Sequence, residues 1–138
     1  MDRERVSTGT EWESRVGYSR AVRVGPHVHV SGTTATEDGE IVGIGDPYRQ
    51  TEKALETVET TLDEIGLGIE DVVRTRIYVT DIEDWDTIGD AHGAVFGEIR
   101  PATSMVEVSR LIEPELRVEI EADALDPDAM ATLDSGTE

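Results

Sequence analysis

The chain contains no cysteine, which excludes a disulfide framework, a thiolate nucleophile and a cysteine-based zinc site. Lysine is nearly absent too: Lys53 is the one lysine among 12 basic residues. No apolar run approaches the ~20 residues that a membrane-spanning helix needs, and the polar start MDRERVSTGT does not read as a signal peptide. A cytoplasmic protein without a membrane partner is therefore expected. No nucleophile elbow surrounds a serine, and neither a glycine-rich phosphate loop nor a nucleotide signature occurs.

Carboxylate is what the chain has in excess. Its 31 acidic residues give a formal net charge of −19. Dense acid with arginine in place of lysine is the composition expected of a protein from a salt-accumulating cell, where a Debye length of about 3 Å at molar salt screens self-repulsion. Affinity for phosphate backbones rests on basic contacts that release counterions, so no nucleic-acid partner is expected. The apolar residues are periodic rather than missing, which excludes a disordered chain. With 138 residues the protein reads as one domain burying roughly 68% of its unfolded surface. The patterned part spans 11–125, between a flexible arm at 1–10 and a flexible acidic tail at 126–138.

From Tyr18 the residues alternate, Gly25-Pro26 makes a turn, and 27–31 continues as a strand, giving a hairpin. Loop follows over 33–39, and 41–44 is at most a short edge segment. Asp46-Pro47 supplies a cap and a first helical residue, and Leu55, Val58, Leu62 and Ile65 place one apolar face on a helix over 47–65. Residues 72–80 read as a two-sided strand whose Arg74 and Arg76 need acidic partners. A second helix is predicted over 83–96 with Trp85, Ile88, His92 and Val95 on its apolar stripe.

The stretch from Arg100 to Leu125 organises the rest. It reads as two strands, 104–111 and 117–125, joined by a short turn at Pro114. In the second strand Val118, Ile120, Ala122 and Ala124 share one face and Glu119, Glu121 and Asp123 the other. Two readings of the acids stand: a solvated outer face, or a face with at least one carboxylate in a cleft where it moves a proton. Both faces of the first strand mix apolar and polar groups, so cover from a helix layer and from another subunit is expected. The element order predicts an α+β domain with two helices on one face of a mixed sheet.

The run Pro101-Ala102-Thr103-Ser104-Met105-Val106-Glu107-Val108, with Val118-Glu119-Ile120-Glu121-Ala122 after it, resembles the carboxy-terminal signature of the RidA (YjgF) family. Gly17-Tyr18-Ser19-Arg20-Ala21-Val22 and Val28-His29-Val30-Ser31-Gly32 resemble its first two strands, so the likeness covers about 12–125. The resemblance implies a chorismate-mutase-like fold and a homotrimer with the sheets inside and small-metabolite clefts between subunits. It also implies hydrolysis of reactive enamines and imines without a cofactor. By resemblance Glu119 is the glutamate associated with the attacking water, while Tyr18 and Gly32 line the cleft.

Thr103 stands where the family carries the arginine that forks onto a substrate carboxylate. A hydroxyl replaces that charged bidentate grip with one neutral hydrogen bond. Either Arg100, three residues earlier, turns inward to replace it, or the ligand lacks a carboxylate. His27 and His29 share a strand face without a third ligand in sequence, so no metal is assigned. His92 reads as a packed core residue. The alternative to an enamine or imine deaminase is a binding-only or chaperone-like trimer. Endoribonuclease activity is disfavoured by the charge.

Overall fold

A computed structural model describes residues 2–129. The elements run β1 (Arg3–Val6), α1 (Glu11–Val16), β2 (Ala21–Val24), β3 (His27–Thr34), β4 (Thr36–Glu37), β5 (Glu40–Ile41), α2 (Pro47–Asp63), β6 (Val72–Val79), α3 (Trp85–Phe96), β7 (Ala102–Glu107) and β8 (Val118–Leu125). Six strands form one sheet in the order β1-β2-β3-β8-β6-β7, and β4 and β5 form a separate small hairpin. Among the described residues only β6 and β7 pair in parallel, so the sheet is mixed.

β8 is the centre of this sheet, antiparallel to β3 on one side and to β6 on the other. Its Val118, Ile120, Ala122 and Ala124 are buried in the core together with Ala54, Leu55, Val58 and Leu62 of α2. α2 starts as expected: the Asp46 carboxylate accepts the Arg49 N–H at 3.0 Å and Pro47 opens the first turn. The fully buried Gln50 then ties this helix to the segment before β8. Its amide donates to the carbonyls of Gly43 (3.2 Å) and Glu115 (2.9 Å), and its oxygen accepts the Arg117 N–H at 2.7 Å. Two helices therefore cover one sheet face, the α+β arrangement expected.

Several expectations are corrected. Within the arm expected at 1–10, Arg3–Val6 is not loose: it pairs antiparallel with β2, with Val6 turned into the core. A four-residue edge strand with one buried side chain has too little pattern to be read in sequence. α1 was not anticipated; it depends on the Thr10 cap, the buried Glu13 and Gly17, whose φ of 91° ends the helix. The two strands of 100–125 are not sheet neighbours, because β6 lies between them. β7 joins the edge in parallel to β6, and a parallel pair needs a crossover, which α3 supplies. On α3 the buried residues are Ile88, Ala91 and Phe96, whereas Trp85 is 60% exposed. Of the expected tail, 130–138 lies outside the described residues, but Asp126 is ion-paired with Arg23.

Candidate functional site

The uncovered sheet face carries the polar side chains. Strand alternation places Glu119, Glu121 and Asp123 of β8 opposite its buried residues, and all three acids are half-buried. Two of them are engaged. Glu121 accepts from the Tyr78 hydroxyl at 2.8 Å, and Asp123 contacts His29 Nδ1 at 2.8 Å and Arg76 Nη1 at 3.1 Å. Arg76 thus finds the acidic partner expected of it on the neighbouring strand. The row is therefore not a purely solvated face, since Glu121 and Asp123 also line an open cleft.

Glu119 differs from its neighbours. Among the described residues its carboxylate accepts no hydrogen bond, and burial together with the Glu121 charge raises its pKa, an effect that Arg20 partly offsets. A half-buried carboxylate with a raised pKa and open acceptor sites can take a proton from a water molecule and return it. It lies against Gly32, where the β3–β8 register shifts between Val30 and Thr33. A Cβ at residue 32 would overlap Glu119 Oε2 and come within 2.9 Å of its Cδ, so glycine is what lets the carboxylate rest on the β3 backbone.

Arg20 was missed in sequence. Its Nη2 donates to the Gly32 carbonyl at 2.6 Å and to Thr33 Oγ1 at 3.2 Å, fixing the backbone that faces Glu119. Burial lowers its pKa, against the pull of Tyr18, Glu13 and Glu119. The guanidinium remains charged at any ordinary pH. Its position directly after Tyr18-Ser19, at the entrance to β2, was the available signal. Tyr18 is 40% exposed and lines an open cleft of about 400 Å³ with Ser31, His29, Arg76, Glu121 and Asp123.

The other predicted residues lie elsewhere in the chain. Thr103 pairs with Thr75, which pairs with Ala122, so it faces the helix side, on the opposite face from Glu119. Its Oγ1 is 2.8 Å from Thr75 Oγ1 and 3.2 Å from the Pro101 carbonyl, and Thr75 Oγ1 is 2.9 Å from His92 Nε2. His92 is therefore hydrogen-bonded as well as packed on Phe96, with ring centroids 4.6 Å apart, and burial lowers its pKa. Arg100 is exposed, with a φ of 55°, and its N–H bonds the Phe96 carbonyl at 2.8 Å to close α3. One chain therefore sets Gly32 against Glu119, with Arg20 in electrostatic reach of both Glu119 and Tyr18. Tyr18 itself lines the cleft of Glu121 and Asp123, and Thr103 and Arg100 lie apart.

The rings of His27 and His29 stack 6.5 Å apart, and no group of three or more His, Asp or Glu side chains suited to a metal occurs among the described residues. No helix among those residues is long and apolar enough to cross a membrane.

Residues 8–126 match the family model described as Endoribonuclease L-PSP. A solved structure from Mycobacterium tuberculosis, titled as a member of the YjgF/YER057c/UK114 family, is 55% identical with a TM-score of 0.81, covering 90% of this chain and 99% of that one. An uncharacterized Streptomyces coelicolor protein is 41% identical over 87% of this chain and 90% of its own length. The 2-iminobutanoate/2-iminopropanoate deaminase of Salmonella typhimurium is 32% identical over 78% of this chain and 86% of its own length. The chain belongs to the RidA (YjgF) family.

Proposed function

We propose that this protein hydrolyses small reactive imines or enamines to carbonyl products and ammonia, in clefts completed by a second copy within a homotrimer. The observation that carries the reading is the contrast along β8: Glu121 and Asp123 are held by Tyr78, His29 and Arg76, whereas Glu119 accepts no hydrogen bond and has a raised pKa. In this reading a water molecule donates a hydrogen bond to Glu119 and loses a proton to it as the oxygen adds to the carbon of a protonated imine, giving a carbinolamine. The carboxyl returns that proton to the amine nitrogen, the C–N bond breaks to release ammonia, and the hydroxyl proton passes to Glu119 as the carbonyl forms. Arg20 holds the Gly32 backbone, Tyr18 closes the cleft wall, and no cofactor is required.

The homotrimer is supported by what one chain leaves uncovered. The open sheet face carries Val106, which is 48% exposed, beside the charged row of β8 and β6. β7 exposes Ala102, Thr103, Ser104, Val106 and Glu107, with only Met105 half-buried. A second copy over this edge would bring Thr103 and Arg100 to another copy's Glu119. We further propose a cytoplasmic protein adapted to high salt, on the strength of the −19 charge. That charge disfavours RNA cleavage despite the name of the family model.

A binding-only role is the second reading, favoured by Thr103 in place of the family's arginine. The two separate in one experiment. Imines are generated in situ by a pyridoxal-phosphate enzyme or a flavin amine oxidase in molar salt, and carbonyl release is timed with and without the protein. Acceleration by catalytic amounts supports the hydrolase; a trimer that binds product analogues without accelerating any member of the panel would leave only the binding role.

A further inference from the structure

Three contacts in series link His92 Nε2, Thr75 Oγ1, Thr103 Oγ1 and the Pro101 carbonyl, at 2.9, 2.8 and 3.2 Å. Each needs one proton, and each threonine hydroxyl has only one to give. The Pro101 carbonyl is an acceptor alone, so the Thr103 proton points to it. Thr75 must then donate to Thr103, and His92 must donate its Nε2–H to Thr75. No other assignment satisfies all three contacts. The Thr103 oxygen accepts from Thr75 with one lone pair, and among the described residues nothing donates to the other, on an exposed residue. Thr75 is fully buried and cannot turn to water instead.

We infer that Thr103 presents a hydrogen-bond acceptor to the ligand, so that the substrate carries an N–H or O–H donor, as an amide or hydroxyl, where relatives with arginine take a carboxylate. This rests on the proposed homotrimer, in which residue 103, on the helix side of its own chain, lines the cleft that another copy's Glu119 completes. A carboxylate is an acceptor on all its lone pairs and meets another acceptor at Thr103, and a chain of net charge −19 repels it further. His92 is a positioning residue: it orients Thr103 through Thr75 without touching the ligand. Burial lowers its pKa, and the Nε2–H is present in the required neutral tautomer and in the imidazolium alike.

Two readouts test this without turnover, so that failure of the hydrolase reading appears in rates and failure of this one appears in binding. Nitrogen-15 NMR of the imidazole is expected to show His92 as the Nε2–H tautomer at neutral pH; an Nδ1–H tautomer overturns the inference. Calorimetry then compares 2-oxobutanamide with 2-oxobutanoate, a pair matched in size. The wild type is expected to bind the amide about tenfold more tightly, as one hydrogen bond is exchanged for an acceptor clash. Thr103→Val removes the preference, Thr103→Arg reverses it, His92→Leu weakens it and His92→Gln, which keeps an N–H donor, retains it. Equal or tighter binding of the carboxylate by the wild type, or failure to bind either compound, overturns the inference. Thr103→Arg lies at an exposed edge position and serves if Thr103→Val does not fold.

Discussion

Replacing Gly32 by alanine tests whether the approach of Glu119 to the β3 backbone matters to the chemistry. The added methyl group would overlap Oε2 of Glu119 and stand within 2.9 Å of its Cδ. The carboxylate is the flexible end of its side chain, so it moves rather than the strand. Restoring ordinary contact displaces it by roughly 1 Å, and a shift of that size at a reacting group costs about 100-fold in rate, or ~2.7 kcal/mol of transition-state stabilisation. Gly32 does not occupy the left-handed region, so alanine is tolerated by the backbone and stability is expected to change by about 1 kcal/mol or less. The assay is carbonyl release from an imine generated in situ, paired with a thermal melt. A Gly32→Ala variant that melts like the wild type and turns over at the full rate would refute the claim that Glu119 acts from this position.

Gln50→Ala leaves the Arg117 N–H and the Glu115 carbonyl without a partner inside the protein, while the Gly43 carbonyl keeps the Asp46 N–H. The expected loss is about 3 kcal/mol, read as a lower midpoint in urea. Glu13 carries a pKa lowered against its own burial by hydrogen bonds from Thr8 and Ser7. A depressed carboxylate stabilises the fold above the ordinary carboxylate range and ceases to do so as pH falls through its folded value. Glu13→Gln is accordingly expected to melt below the wild type at pH 7, with the gap closing on acidification. If the −19 charge opposes folding in dilute buffer, the melting temperature rises from 0.1 M to 2 M potassium chloride; a melting temperature that does not depend on salt contradicts that account.

How much of this was legible depended on how each residue acts. The buried faces of α2 and β8 follow directly from spacings of three and four and of two, because one stripe must meet the core. The neighbours of β8 did not follow, since pattern marks a strand but not its place in a sheet, and the insertion of β6 is a matter of crossover topology. The Asp46 cap was readable as local chemistry, whereas the bond from Arg117 to Gln50 joins residues 67 apart in sequence. At the site, Tyr18, Gly32 and Glu119 were singled out through motif resemblance, and of these the structure sets Gly32 directly against Glu119. Arg20 was overlooked although it adjoins Tyr18, since its role is to hold the carbonyl of Gly32, twelve residues away. The direction of the His92–Thr75–Thr103 chain depends on three distances that no sequence pattern encodes.

The central claim is that Glu119 handles the proton of the attacking water, and Glu119→Gln measured in molar salt tests it most directly. Its carboxyl pKa is raised, so ionisation in the folded state costs stability once pH exceeds the folded value, and the neutral amide is expected to melt at or above the wild type at pH 7. The account predicts a trimer as stable as the wild type or more so, with acceleration of imine hydrolysis reduced by at least about 100-fold. A Glu119→Gln protein that hydrolyses the same imine at the wild-type rate would contradict it.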